Sequence, residues 1–386
     1  MSETLGIAVV GFGWMGQVHA RSYARVLHHY PRLPLRPRPV LVVDAEADRR
    51  LDAVERYGFE RAGDRWQDVL DDERVQAVSV TAPNFLHREL GTAVAAAGKH
   101  LWIEKPVGLS AADARTVADA VAAAGVQSAV GFNYRNAPAV EHARELIGSG
   151  AIGRVTNARF RLFADYAAHP LGALSWRFER ARGGAGVLGD LVSHGADLAR
   201  YLLGEIDSLV ADTAVFIDRR PKPTGVTSHF ATAEGGELAA VENEDYANCL
   251  LRFSDGAHGS LESSRVSVSD QCNYGFEIHG TQGALSWDFR RMGELAVSAG
   301  TDYLNQSVST AFVAPGHGEL AAFQPGAGIA MGYDDLKVIE AARFLQSVAD
   351  GKPHGATAAD AVASAHMLES IAESASTGRW VAVPRA

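Results

Sequence analysis

Two aspartates and a histidine interrupt a mostly apolar segment, GAGVLGDLVSHGADLARYLLG (184–204). Leu188, Leu191, Val192, Leu198, Leu202 and Leu203 recur near the helical period, so one stripe of this helix should be buried. At about 100° per residue, His194 and Asp197 fall about 40° and 20° to either side of Asp190, which puts all three on one polar stripe. Burying such a stripe is costly unless every group is paired. Three outcomes fit these residue types. An imidazole beside carboxylates can move a proton, the set can ligate a metal ion, or the groups can satisfy one another structurally.

A second stretch with chemistry in it is GFGWMG (11–16). Its glycines follow IAVVG (7–11), a short β-branched run of the kind buried on both faces of a parallel sheet. In that setting Gly11 permits a tight turn, Gly13 lets backbone approach a pyrophosphate, and Gly16 allows close helix–strand packing. The helix that follows offers free N–H groups and a positive dipole end to phosphates. Asp44 ends the next apolar run, PVLVVD, where its carboxylate can accept both ribose hydroxyls and favour NAD over NADP. Arg49 and Arg50 stand close enough downstream to meet a 2′-phosphate, which keeps NADP as the alternative. The spacing to Asp44 is lengthened by PRLPLRPRP (31–39), which reads as a stiff surface loop.

The elements that must position these residues change character along the chain. Helices are expected near 17–27, 47–57, 65–71, 84–97 and 110–124, the last opened by a Ser110/Asp113 capping box. They alternate with strands at VQAVSVTAP, HLWIEK and VQSAVGF, a pattern that means a parallel sheet with right-handed crossovers. After the helix PAVEHARELIGSG, the segment GRVTNARFRLFADY alternates as a strand. Antiparallel hairpins follow, around SDGA and around GTQG. The span from Asp218 to Glu244 reads as a long loop or lid, helices return near 333–349 and 358–375, and RWVAV closes with a short strand. The expected architecture is therefore α/β followed by α+β. A doubly wound Rossmann domain over 1–132 precedes a domain over 133–386 built on a large, open, mainly antiparallel sheet, with the last helices able to pack back on the first domain.

Composition narrows the classes. A net charge of −10 argues against a nucleic-acid or anionic-membrane surface. No run approaches the length of a membrane span, and MSETLGIAVVGFG lacks the basic n-region of a signal peptide. Two cysteines, Cys249 and Cys272, without metal-type spacing suit a reduced cytoplasmic setting.

Three landmarks, in order, carry a family likeness: GFGWMG (11–16), EKPVG (104–108) and GGAGVLGDLVSHGADLARYLLG (183–204). Together they resemble the Gfo/Idh/MocA oxidoreductases, the glucose–fructose oxidoreductase and inositol dehydrogenase family. The likeness spans essentially the whole chain, including the GY-helix segment near 332–349. It implies that Lys105 reaches substrate, while Glu104 and Pro106 hold the turn at a strand's end. It makes His194 the general base that takes a hydroxyl proton as hydride leaves carbon, with Asp190 binding a neighbouring hydroxyl or orienting the imidazole. It implies chemistry without a metal, and leaves Asp197 to buttress the helix. Gly11, Gly13, Trp14, Met15, Gly16, Asp44, Asn84, His87, Glu104, Lys105 and Asn133 are the residues expected at the cofactor. For His87 a role in capping a helix start competes with that one. Tyr134, Arg135 and Trp176 join Lys105, Asp190 and His194 as expected substrate contacts, although a core position suits Trp176 equally.

The implied activity is NAD-dependent oxidation of a secondary hydroxyl on a cyclic polyol. The pattern WRFERARGGAG…LGDLVSH…GYDDL is most like the inositol and anhydrosugar (levoglucosan-type) dehydrogenases. Two rival readings are a non-catalytic NAD-binding sensor on the same fold and a nicotinamide-retaining enzyme that cleaves glycosides. The expected partners are a small cyclic polyol and further copies of the chain, as a dimer or tetramer through the C-terminal sheet, with neither nucleic acid nor membrane. The whole assignment supposes that His194 and Lys105 converge beside C4 of a bound pyridine ring.

Overall fold

The computed structural model describes residues 3–223, 231–233 and 235–386. The chain forms two compact units, residues 1–136 with 331–362 and residues 137–330 with 363–386. No helix among the described residues is long and apolar enough to cross a membrane.

The first unit begins with β1 (Glu3–Val10), α1 (Trp14–His29), β2 (Leu35–Val43), α2 (Ala47–Tyr57), β3 (Arg61–Gly63) and α3 (Asp68–Asp71). It continues through β4 (Ala77–Val80), α4 (Asn84–Ala96), β5 (His100–Ile103), α5 (Ala111–Ala124) and β6 (Ser128–Val130). The six strands form one sheet in the order β3-β2-β1-β4-β5-β6, with every pair parallel. The doubly wound Rossmann sheet read from the sequence is therefore present. Strand order reverses between β1 and β4, so a crevice opens there beyond the strands' C-terminal ends, which is where such sheets bind ligands.

Three local expectations change. The proline-rich segment is not a free loop, because β2 starts at Leu35 and pairs with β1 from Glu3 onward. β3 reaches only Leu41–Val43, so the N atoms of Pro37 and Pro39 lie along an open edge where no ladder donor is needed. The helix near 65–71 shrinks to the single turn α3. The capping box is half formed: Ser110 Oγ accepts from Asp113 N at 3.1 Å, but Asp113 Oδ2 reaches past the cap to Leu109 N at 3.0 Å.

The second unit runs through α6 (Pro138–Gly148), β7 (Val155–Phe163), α7 (Arg180–Gly183), a π-helical turn (Leu188–Val192) and α8 (Ser193–Leu203). The strands β8 (Ile206–Ala214), β9 (Arg219–Pro221), β10 (Leu238–Ala240), β11 (Tyr246–Phe253), β12 (His258–Ser264) and β13 (Asn273–Gly280) follow. Then come β14 (Gly283–Asp288), β15 (Glu294–Ala299), β16 (Ser309–Phe312) and, near the C-terminus, β17 (Val381–Ala382). Nine of them form a sheet in the order β16-β15-β14-β13-β7-β12-β11-β8-β17, antiparallel except for β7 with β12. The expected lid across 218–244 instead contains the hairpin β9–β10; its residues 224–230 and 234 lie outside the described residues.

One face of this sheet is apolar. Along β11, Ala247, Cys249, Leu251 and Phe253 are buried while Asn248, Leu250 and Arg252 are exposed, the alternation of a half-buried strand. Phe160, Phe276 and Trp287 stand directly opposite one another on adjacent strands, with ring centroids 6.3 and 5.8 Å apart. α8 lies close on this face because Gly195 has no side chain: a Cβ there would meet Leu162 and Leu261 at 2.6 and 2.7 Å. The other face carries the cross-strand ion pairs Arg159–Glu277 and Arg161–Asp288.

After β16 the chain returns to the first unit as α9 (Tyr333–Asp350), and α10 (Ala358–Thr377) follows. Asp334 and Asp335, at the positive end of α9, pair with Arg21 and Arg25 of α1. Phe276→Ala removes the middle ring of the aromatic row. It should cost about 3–5 kcal/mol, measured as a lower urea midpoint with an unchanged slope, and a loss below about 1 kcal/mol would mean that the row is not the sheet's core.

Candidate active site

The glycine turn of the first unit divides its work among three positions. Gly11 has φ +89°, and a Cβ there would lie 2.8 Å from Ala82 backbone. A Cβ on Gly16 would lie 2.2 Å from Gly11 O, so this glycine lets α1 close on the turn. A Cβ on Gly13 would meet nothing nearer than Arg49 Nη1 at 4.0 Å, so its bare backbone borders open space. Asp44 is buried at the end of β2; its Oδ2 accepts from Phe12 N at 2.5 Å and its Oδ1 from Glu46 N at 2.8 Å. Arg50 Nη1 donates to the carbonyls of Asp44 and Ala45, whereas Arg49 Nη1 lies 3.6 Å from Asp44 Oδ2. Of the two arginines that could meet a 2′-phosphate, Arg50 is thus occupied by backbone and Arg49 by the carboxylate. Trp14 is exposed and stacks on Tyr333 at 5.4 Å, and Met15 Sδ lies 3.8 Å from the Tyr333 hydroxyl.

Past β6, Asn133 is buried, and neither its carbonyl nor its amide nitrogen has a partner among the described residues. A buried amide left unsatisfied by protein is a place for a ligand's polar atoms. Open space at Gly13, the anchored carboxylate of Asp44 and this amide, all past C-terminal ends of parallel strands, fit a dinucleotide. Tyr134 and Arg135 continue the same turn but are buried in the first unit, with Arg135 Nη2 3.4 Å from Asp360 Oδ1.

Beyond β5, Lys105 is half-buried and Glu104 buried. Glu104 was expected at the cofactor, but its carboxylate belongs to an interior cluster. Oε1 lies 2.5 Å from Lys337 Nζ and 3.0 Å from His19 Nε2, and Lys337 Nζ is 2.9 Å from Glu340 Oε1. His19, Glu104 and Glu340 would pass as a metal-ligand trio by distance alone, but the Lys337 ammonium already supplies the cation. His87 is likewise turned to structure: its two ring nitrogens lie 2.7 Å from Pro106 O and Ala82 O. It ties α4 to the turn carrying Lys105, and burial lowers its pKa. Asn84 begins α4 itself.

In the second unit the polar stripe is not laid on a uniform α-helix. Asp190 sits in the π-turn, where Ser193 N bonds to Leu188 O five residues back, and His194 and Asp197 sit on α8. The wide turn re-aims Asp190 relative to the even spacing assumed from sequence, and such turns concentrate at functional sites. Asp197 is buried, at 2% exposure, which fits a buttress better than a hydroxyl contact. His194 is buried and Asp190 less so. The Tyr166 hydroxyl donates to Asp190 Oδ2. Burial and the Asp190 charge hold Tyr166 well above an ordinary phenol's pKa, so it remains a donor. Arg177 lies with its guanidinium 4.4 Å over the Trp176 ring; burial lowers its pKa while Asp190 and Tyr166 oppose that.

The turn before the π-helix is held from beneath by Asn243, Glu244 and Asp245. Glu244 Oε1 accepts from Leu188 N at 3.1 Å, an N-terminal cap supplied from 56 residues away. Asn243 Nδ2 donates to Arg177 O and Gly184 O, and the buried Arg265–Asp245 pair, 2.8 Å long, locks the segment. None of Tyr166, Arg177, Glu244 or Arg265 has a local signal in the sequence. The loop residues His169, His317 and Asp165 are engaged elsewhere: Leu171 N donates to His169, His317 stacks on His142, and Gln271 donates to Asp165.

Comparison with known proteins decides what this arrangement belongs to. Residues 5–132 match the oxidoreductase family described as an NAD-binding Rossmann fold, and residues 140–286 match the GFO/IDH/MocA C-terminal domain. The chain belongs to the GFO/IDH/MocA oxidoreductases. Within that family it is 33% identical to levoglucosan dehydrogenase of Pseudarthrobacter phenanthrenivorans over 386 residues, 99% of each chain. It is 28% identical to myo-inositol 2-dehydrogenase of Thermotoga maritima over 289 residues, 73% of this chain and 75% of that one. A solved levoglucosan dehydrogenase in complex with NADH and levoglucosan superposes with a TM-score of 0.93 at 32% identity, covering 99% of this chain and 100% of that one. As a GFO/IDH/MocA oxidoreductase the chain uses NAD, and Asp44 is the residue to test. Asp44→Ala removes the acceptor of two turn amides and should weaken NADH binding at least about tenfold and NADPH binding less. Fluorescence titration of both nucleotides measures it, and equal losses would remove Asp44 from the ribose site.

Proposed function

We propose that this chain is an NAD-dependent dehydrogenase that oxidises a secondary hydroxyl of a cyclic polyol to a ketone, with an anhydrosugar of the levoglucosan type as the first candidate. The carrying observation is the Tyr166–Asp190 hydrogen bond on the π-turn, one helical turn before buried His194, in a chain that keeps the EKP lysine. Full-length likeness to levoglucosan dehydrogenase supports the anhydrosugar branch over the inositol branch, whose relative matches a shorter span.

Bound NAD accepts the hydride from the carbinol carbon. The protein's part is to manage the oxygen. Lys105 donates a hydrogen bond to the reacting hydroxyl and stabilises negative charge as it develops there. His194 takes the hydroxyl proton as the C–H bond breaks, leaving a ketone and an imidazolium that releases its proton to water. Asp190, fixed by Tyr166, accepts from a neighbouring hydroxyl or orients the imidazole. Trp176 stacks on the apolar face of a ring. Asn133, Asn84, Trp14 and Met15 border the nucleotide, while Glu104 and His87 act on it only through the backbone they hold.

The substrate is small. The chain's setting is taken as cytoplasmic, in keeping with two free cysteines, Cys249 buried and Cys272 exposed. Self-association as a dimer or tetramer uses the outer face of the nine-stranded sheet, where exposed Leu250 lies among polar and paired side chains.

The decisive assay follows NADH absorbance while anhydrosugars, inositols and pyranosides are offered with NAD. Accumulating NADH with a cyclic polyol supports the reading; product without net NADH would indicate glycoside cleavage, and binding without turnover a sensor. His194→Ala should lower kcat about 10²- to 10⁴-fold while NADH affinity holds. Because Lys105 and His194 are assigned to one hydroxyl, Lys105→Met/His194→Ala should lose much less than the product of the single losses. Fully multiplicative losses would mean that the two act independently.

A further inference from the structure

We propose that Lys337, far from Lys105 in sequence, is a positioning residue for it: clamped between Glu104 and Glu340, it fixes the end of β5 from which Lys105 follows. The proposal rests on reading Lys105 as the group that meets the substrate. Lys337 is fully buried on α9. Its ammonium lies 2.5 Å from Glu104 Oε1 and 2.9 Å from Glu340 Oε1, and 5.8 Å from the centre of the Trp102 ring. Glu104 Oε1 also takes the Nε2 hydrogen of His19, whose ring stacks on Trp102 at 3.6 Å. Glu340 Oε1 takes the Trp102 indole hydrogen at 2.7 Å.

Glu104 is one peptide unit from Lys105, so the position of its carboxylate constrains the backbone there. Three elements clamp that carboxylate. His19 comes from α1, the helix opened by the glycine turn, and Lys337 from α9. The third is Gly131, just past β6, where a Cβ would lie 2.4 Å from Glu104 Oε2. Burial by itself would raise the pKa of Glu104, but the Lys337 charge and the His19 hydrogen bond outweigh it and hold the carboxyl below its ordinary range. The same burial lifts Glu340 to about 7 and drops His19 to about 4, so His19 is a neutral donor and one firm negative charge faces one positive charge. Deleting that positive charge leaves a buried carboxylate uncompensated, which must take a proton or move toward water. Either response shifts the Glu104–Lys105–Pro106 turn.

The test uses the full chain carrying Lys337→Met, Gly131→Ala, Lys105→Met, and Lys337→Met with Lys105→Met. Hydrogen–deuterium exchange over 104–108 needs no substrate. Exchange there should rise about tenfold or more in Lys337→Met, with α5 and the second unit unchanged. With levoglucosan and NAD as the probe pair, kcat should fall about 10- to 100-fold, a loss typical of a misplaced catalytic group. The loss should nearly vanish in the Lys105→Met background. Gly131→Ala crowds the Glu104 carboxylate directly, since its Cβ would lie 2.4 and 2.5 Å from the two oxygens, without removing any charge. It should reproduce both effects, so it decides the matter if Lys337→Met does not fold. Unchanged exchange at 104–108 in a folded variant, or a loss in kcat of equal size with and without Lys105, overturns the proposal. Full activity of Lys105→Met alone would instead overturn the role of Lys105, and exchange would still show whether Lys337 holds the turn.

Discussion

A carboxylate taken out of water keeps its charge only if a cation and hydrogen-bond donors go with it. In the first unit that requirement falls on Glu104, and meeting it draws four elements to one point: β5, α1, α9 and the chain just past β6. The pairing explains why a helix more than 200 residues downstream belongs to the nucleotide-binding unit. α9 brings Lys337 and Glu340 to the cluster and reinforces its seat with Asp334 and Asp335 against arginines of α1. An apolar interior would hold these helices as well, but it would not specify the rotation of α9 about its axis, whereas an ammonium that must meet the carboxyl groups of both Glu104 and Glu340 does.

The second unit solves a similar problem with a different device. Its polar helix begins in a glycine-rich turn with backbone amides that would be stranded if buried. Glu244 caps them, and the Asp245 carboxylate, saturated by Arg265 and by the amides of Phe216 and Ile217, fixes the segment before β11 that carries Glu244. Gly186 makes room, since a Cβ there would lie 2.2 Å from Glu244 O. With the turn anchored, the π-turn is tolerated and Asp190 is aimed by geometry rather than by propensity.

Periodicity and glycine chemistry made the architecture legible: buried β-branched runs gave the parallel sheet, alternation gave the hairpins around SDGA and GTQG, and strand-end loops gave the nucleotide turn. What stayed hidden was pairing at a distance. Nothing near Glu104 announces Lys337, and nothing near Asp190 announces Tyr166, because their separations are set by the fold and not by a local period. For that reason Glu104 and His87 read as cofactor contacts when their polar atoms are spent on Lys337, His19 and backbone carbonyls. The stripe of Asp190, His194 and Asp197 is visible as composition, but its even angles hold only for a uniform α-helix, and one inserted π-turn changes them. The proline-rich strand is hidden for a converse reason: proline lacks a donor and so suggests a loop, yet along an open edge none is required.

The charge balance around Asp190 bears on the kind of ligand this unit suits. Tyr166 stays protonated and donates, so Asp190 is fixed as an acceptor. Arg177 brings the nearby positive charge, but Asp190 is among the groups that compensate it, and the guanidinium leans over Trp176. A site for a phosphorylated substrate needs surplus positive charge, because a dianion must be neutralised as it leaves water. In this unit the Asp190 charge offsets that of Arg177 before any ligand arrives. What remains is a fixed carboxylate, a phenol, an imidazole and an indole face, groups that exchange hydrogen bonds with neutral hydroxyls and cover a ring's apolar side. On the proposed assignment, their affinity for such a ligand would come from leaving no buried polar group unpaired on either partner, which is also why an analogue lacking one hydroxyl should be discriminated more strongly than one with a changed apolar substituent.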